Sequence, residues 1–120
     1  MIDESFNDVM GRLHERDDAA AAAVFQRFAR RLVALASTRL DRQVRQKVGA
    51  EDVVQSVFRS FFTRYPQGEL DFGGWDGLWA FLVLVTVRKC GRAAEHFLAQ
   101  RRTVRREVPL QPGPDSLGAP

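Results

Sequence analysis

In AEDVVQSVFRSFF, residues 50–62, the apolar residues recur at the period of an α-helix. Val54, Val57, Phe58, Phe61 and Phe62 fall on one side, and Tyr65 continues that stripe. Asp52, Gln55, Ser56 and Arg59 fall on the other side, at spacings of i, i+3, i+4 and i+7. Glu51 and Asp52 in the first turn oppose the positive end of the macrodipole, which suits a helix start. A face this aromatic has to be buried against other elements, so the segment predicts a helical protein with a shared core.

The rest of the chain agrees. Residues 4–14 read as a short amphipathic helix with Phe6, Val9, Met10 and Leu13 on one face. Residues 18–40 read as a long helix: an alanine run of high helix propensity opens it, Asp17 is its expected N-cap, and Phe25, Phe28, Leu32, Leu35 and Ala36 trace its buried stripe. The charged connector 41–49, DRQVRQKVG, ends in glycine and predicts a break. A helix over 50–64 then stops at Tyr65-Pro66, and PQGELDFGGWDG reads as loop. A last helix begins near Trp75–Trp79 and runs to about 106, where Val108-Pro109 ends it. FLVLVTV (81–87) has the composition of a buried strand, but no second strand candidate exists to satisfy its backbone, so it is read as helix. The expected fold is an all-α, compact bundle of about four helices over 1–108. Its core holds Phe25, Phe28, Leu32, Val54, Phe58, Phe61, Leu82 and Val85, and a disordered tail follows over 109–120.

With 120 residues, 45% of them hydrophobic, the chain has room for one domain with a real core. Its longest apolar run, Leu78–Val87, is too short to span a membrane, and the acidic N-terminus carries no export signal. The single cysteine, Cys90, excludes an internal disulfide and reads as a small core residue. These features point to a soluble, cytoplasmic protein. Charge is segregated: residues 1–87 carry a net −1 and residues 88–106 a net +6, so the basic character belongs to one helix. A localised cationic stripe is the footprint of a polyanion binder. Catalytic chemistry finds no support. His14 and His96 are isolated, no phosphate loop or metal motif is present, and no cofactor is implied.

The order D-x-x-Q-x-x-F followed by an aromatic pair, as Asp52, Gln55, Phe58 and Phe61-Phe62, resembles the segment of extracytoplasmic-function (ECF) sigma factors that grips the clamp helices of core RNA polymerase. DDAAAAAVFQRFARRLVALASTRL (17–40) resembles the first long helix of sigma region 2, and LWAFLVLVTVRKCGRAAEHFLAQRR (78–102) resembles the helix pair that melts and reads the promoter −10 element. The resemblance covers roughly 5–108 and implies a domain that binds core polymerase and opens promoter DNA. It implies polymerase contacts at Asp52, Gln55, Ser56 and Arg59. Ser56 departs from the glutamate common in the family, and Phe58, though matched, is mostly core by its angular position.

On the DNA side the resemblance implies capture of a flipped base of the non-template strand by the loop, with Phe72, Trp75 and Trp79 as stacking surfaces. Trp75, between Gly74 and Asp76, is the harder of the two tryptophans to bury, and Trp79 has the stronger claim to the core. Arg88, Lys89, Arg92, His96, Arg101, Arg102 and Arg105 would meet phosphates and base edges. Arg88 stands where many members carry asparagine, which removes one base-specific contact and adds a charge. Glu69, Asp71 and Asp76 are discordant beside a phosphate chain. The resemblance also admits an anti-sigma factor as partner. No segment corresponds to the family's −35-reading domain, so the resemblance leaves two readings, a truncated region 2, which the linker-like tail favours, and a natural single-domain relative. The rival reading is a helical module that keeps the polymerase-binding surface without initiating transcription, as an antagonist or decoy.

Overall fold

The computed structural model describes residues 5–107, with side chains described as far as 103. Five α-helices follow one another: α1 (Phe6–His14), α2 (Asp18–Arg39), α3 (Arg42–Lys47), α4 (Ala50–Arg64) and α5 (Trp75–Glu107), with one 3-10 turn at Tyr65–Gln67. No strand occurs among the described residues, and FLVLVTV lies inside α5. The protein is all-α.

Helix boundaries follow local chemistry. The Asp17 carboxylate accepts from the Ala19 amide at 3.0 Å and caps α2, as the sequence predicts. Asp41 caps α3 in the same way through the Val44 amide at 3.0 Å. Between α1 and α2 the chain closes a Schellman motif: the Asp17 amide reaches the Arg12 carbonyl at 3.1 Å and the Arg16 amide the Leu13 carbonyl at 2.9 Å. The left-handed position of that motif holds Arg16, with φ 63°, where glycine is the unstrained choice.

The expected break over 41–49 is instead a short docked helix. Val44 is buried, and Arg45 turns back to donate to the Ser37 carbonyl at 2.7 Å, satisfying the end of α2. Val48 closes α3 as its C-cap, and Gly49 follows directly as the N-cap of α4.

One hydrophobic core joins the helices. Phe28, Leu32 and Ala36 of α2, Val54, Val57, Phe58 and Phe61 of α4, and Leu78 and Leu82 of α5 are buried in it. Two expected members stand differently: Phe25 is 39% exposed, with its ring leaning on Phe58 at 5.0 Å, and Val85 is half-buried. Phe25 sits at the edge of the α2 stripe, where the α2–α4 contact opens outward. Leu35, also placed in that stripe, is half-buried.

Helix α5 has 33 residues, a length of about 50 Å. Its buried line is Leu78, Leu82, Thr86 and Cys90, one residue per turn. Past Cys90 none of the described side chains is fully buried. Beyond Cys90 the basic half of α5 touches the core only through the half-buried Ala93, Ala94 and Phe97, with α3 packed beside it.

Candidate functional site

Helix α4 presents the polar strip that the sequence predicts on one side and its aromatic side to the core. Asp52, Gln55 and Arg59 are exposed, whereas Ser56 is half-buried, so the strip is narrower than the helical wheel implies. Asp52 lies in the first turn of α4, with its carboxylate near Gly49 at the helix N-terminus. There it also complements the helix dipole. Beside the strip, Phe25, Ala29 and Val33 of α2 line a shallow groove with Val54 and Gln55 of α4.

Phe72 and Trp75 are placed differently from expectation, whereas Trp79 leans on the core as its position at the head of the apolar run predicts. Phe72 is turned inward, 5.2 Å from the Phe81 ring, 6.2 Å from Phe61 and stacked at 6.3 Å on Tyr65. Trp75 is the first residue of α5 and is half-buried, its ring 5.1 Å from Phe6 and 6.0 Å from Phe28. Trp79 is half-buried too and stacks on Phe28 at 5.6 Å. The flanking residues Gly74 and Asp76 therefore do not keep Trp75 free, because helix formation begins at that residue and turns the ring toward α1 and α2.

Two arginines that the sequence reading passed over complete this cluster. The Arg27 guanidinium lies 4.1 Å from the centre of the Trp75 ring, and that of Arg31 lies 4.2 Å from Trp79. Each pair is a cation–π contact, contributing about 0.5–1 kcal/mol where exposed. The signal was available: Arg27 and Arg31 are four apart on α2, and Trp75 and Trp79 are four apart on α5. Matching the two spacings required knowing that the helices run parallel and adjacent.

On the basic half of α5, Arg88, Arg92 and His96 are exposed along one line, Arg102 is exposed and Lys89 is half-buried. Arg101 is exposed but held, donating to Gln43 Oε1 of α3 at 2.6 Å and lying 5.8 Å from the Phe97 ring. The side chain of Arg105 lies outside the described residues, as does the tail over 109–120. Of the three discordant acids, Glu69 pairs with Arg64 at 3.2 Å.

Two titrating groups are shifted. Burial pushes the Tyr65 hydroxyl above its ordinary value, and the Asp71 charge adds to the effect. Burial likewise raises the Cys90 thiol, with partial opposition from the Arg39 guanidinium. A buried thiol held protonated is a packing residue, not a nucleophile. Among the described residues no cluster of His, Cys, Asp and Glu is disposed to hold a metal ion, and no helix is long and apolar enough to cross a membrane. Comparison with known protein families, with curated proteins and with solved structures finds no significant match to this chain.

Proposed function

We propose that this chain is a sigma region 2-like domain that binds core RNA polymerase and engages the non-template strand of promoter DNA at the −10 element. One observation carries the reading. The helix bearing D-x-x-Q-x-x-F buries Phe58 and Phe61 and exposes Asp52, Gln55 and Arg59 together, while the basic half of α5 exposes Arg88, Arg92, Arg101 and Arg102. In this reading α4 contacts the polymerase clamp helices, with Ser56 in a marginal role. Arg88, Lys89, Arg92, His96, Arg101 and Arg102 position DNA phosphates, to which Arg105 of the same segment would add. Phe72, Trp75 and Trp79 supply base capture only after displacing the contacts that now cover them. An anti-sigma factor acting on the same helical surfaces fits the reading, as does a cytoplasmic site of action.

The second reading, a polymerase-binding decoy without initiation activity, is favoured by one feature. Both indoles carry an arginine across a face, and Phe72 is packed into the protein. Run-off transcription by purified core polymerase from pre-melted bubble DNA separates the two. Stimulation by the chain, lost in Trp75→Ala, supports promoter engagement. Core binding with no stimulation at any concentration supports the decoy.

A further inference from the structure

The short helix α3 turns the basic half of α5 into one wall of a two-sided surface. Segments 39–47 and 88–103 together hold nine basic and two acidic side chains, against nine basic and thirteen acidic in the rest of the chain. One of the two acids, Asp41, has a carboxylate oxygen engaged in capping α3. Arg39, Arg42 and Lys47 are exposed, and among the described residues they form no ion pair. Such a concentration of unpaired like charge has an electrostatic cost, which an anionic partner offsets.

A groove runs between the two walls, lined by Lys47 from α3 and by His96, Phe97, Gln100, Arg101 and Thr103 from α5. None of its described lining residues is a carboxylate. The Arg101–Gln43 hydrogen bond ties the walls together and holds one guanidinium at the rim. Along α5 the groove continues the line Arg88, Arg92, His96, whose members are about 6 Å apart. Arg88 and Arg92, one helical turn apart, lead toward a groove with an aromatic surface, which suits a chain of anions carrying flat bases.

We propose that the α3–α5 groove binds the backbone of a single-stranded nucleic acid, with Lys47 and Arg101 on phosphates from opposite sides and Phe97 against a base. The inference rests on the nucleic-acid half of the proposed function, extends it to α3, and does not depend on polymerase binding.

The test is fluorescence anisotropy of the full chain with a labelled thymidine oligomer, titrated at several salt concentrations. For a single strand each phosphate contact contributes about 0.7 to the slope of log K on log salt, equivalent to about eightfold in affinity at about 50 mM and about threefold at about 200 mM. Lys47→Gln is expected to lose that much affinity and slope with an unchanged melting temperature. Lys47→Arg is expected to restore both, and Arg30→Gln, on an exposed part of α2, to bind as the parent chain does. If Lys47→Gln binds like Arg30→Gln while Arg88→Gln is weakened, the groove proposal falls and the α5 reading stands. If neither Lys47→Gln nor Arg88→Gln weakens binding, both fall. If polyglutamate of matched charge displaces the oligomer as well as unlabelled oligomer does, the groove takes acidic protein and the proposal is overturned.

Discussion

Replacing Phe61 with alanine removes the ring that ties four segments together. Phe61 is 2% exposed, and its ring lies 5.6 Å from Phe62 and Tyr65 and 6.2 Å from Phe72 and Phe81. Those neighbours belong to α4, the 3-10 turn, the loop before α5, and α5 itself. A buried Phe→Ala change costs about 3–5 kcal/mol through lost transfer energy and the cavity left behind. The upper part of that range applies here, because the half-buried neighbours also lose ring contacts of about 0.5–1.5 kcal/mol each. A cost near 5 kcal/mol approaches the whole stability of a small domain. Phe25→Ala is the internal comparison: its ring is 39% exposed with one aromatic neighbour, Phe58, and about 1–2 kcal/mol is expected. Urea unfolding followed by circular dichroism measures both. With a slope of about 1.5 kcal/mol/M, the Phe61 variant should lose about 3 M in midpoint or be unfolded in buffer. Equal midpoints for the two variants would refute the placement of the core between α4 and α5.

Three further outcomes follow from single positions. Thr86 is fully buried with no partner for its Oγ1, so Thr86→Val should stabilise by about 1 kcal/mol in the same assay; a loss of stability would mean that the hydroxyl is bonded. Arg16→Gly relieves a left-handed arginine and should gain about 1 kcal/mol; no gain would mean that the Schellman geometry is not held in solution. The raised Cys90 thiol binds its proton more tightly folded than unfolded, so its contribution is fully present at neutral pH. That contribution is lost as pH rises above about 8.5, and Cys90→Ala should flatten this part of the stability–pH profile.

Much of the architecture was legible because apolar period and capping chemistry act locally. The bounds of α4, the Asp17 cap and the start of α5 at Trp75 all follow from side chains within a turn or two of the boundary. Features set by neighbours were not legible. The α3 segment reads as a linker because its six residues have little helix of their own to form, and its stability comes from burying Val44 and capping α2 through Arg45. Phe25 reads as core because periodicity gives the direction of a side chain but not how far the opposing helix extends. Trp75 reads as exposed from its glycine and aspartate neighbours, whereas Phe6 and Arg27, far away in sequence, decide its environment. For the candidate surfaces, the exposure of Asp52, Gln55 and Arg59 was readable from the wheel. The joining of Lys47 and Gln43 to the basic helix was not, since it depends on where α3 docks.

Association of the purified chain with purified core RNA polymerase tests the central claim most directly. Contacts between a charged side chain and its partner contribute about 1.5–3 kcal/mol. The double change Asp52→Ala, Gln55→Ala should therefore weaken binding at least about tenfold. Both side chains are exposed, so the melting temperature should stay within about two degrees of the parent chain. A parent chain that fails to bind core polymerase, or a folded double variant that binds as tightly as the parent, would contradict the account.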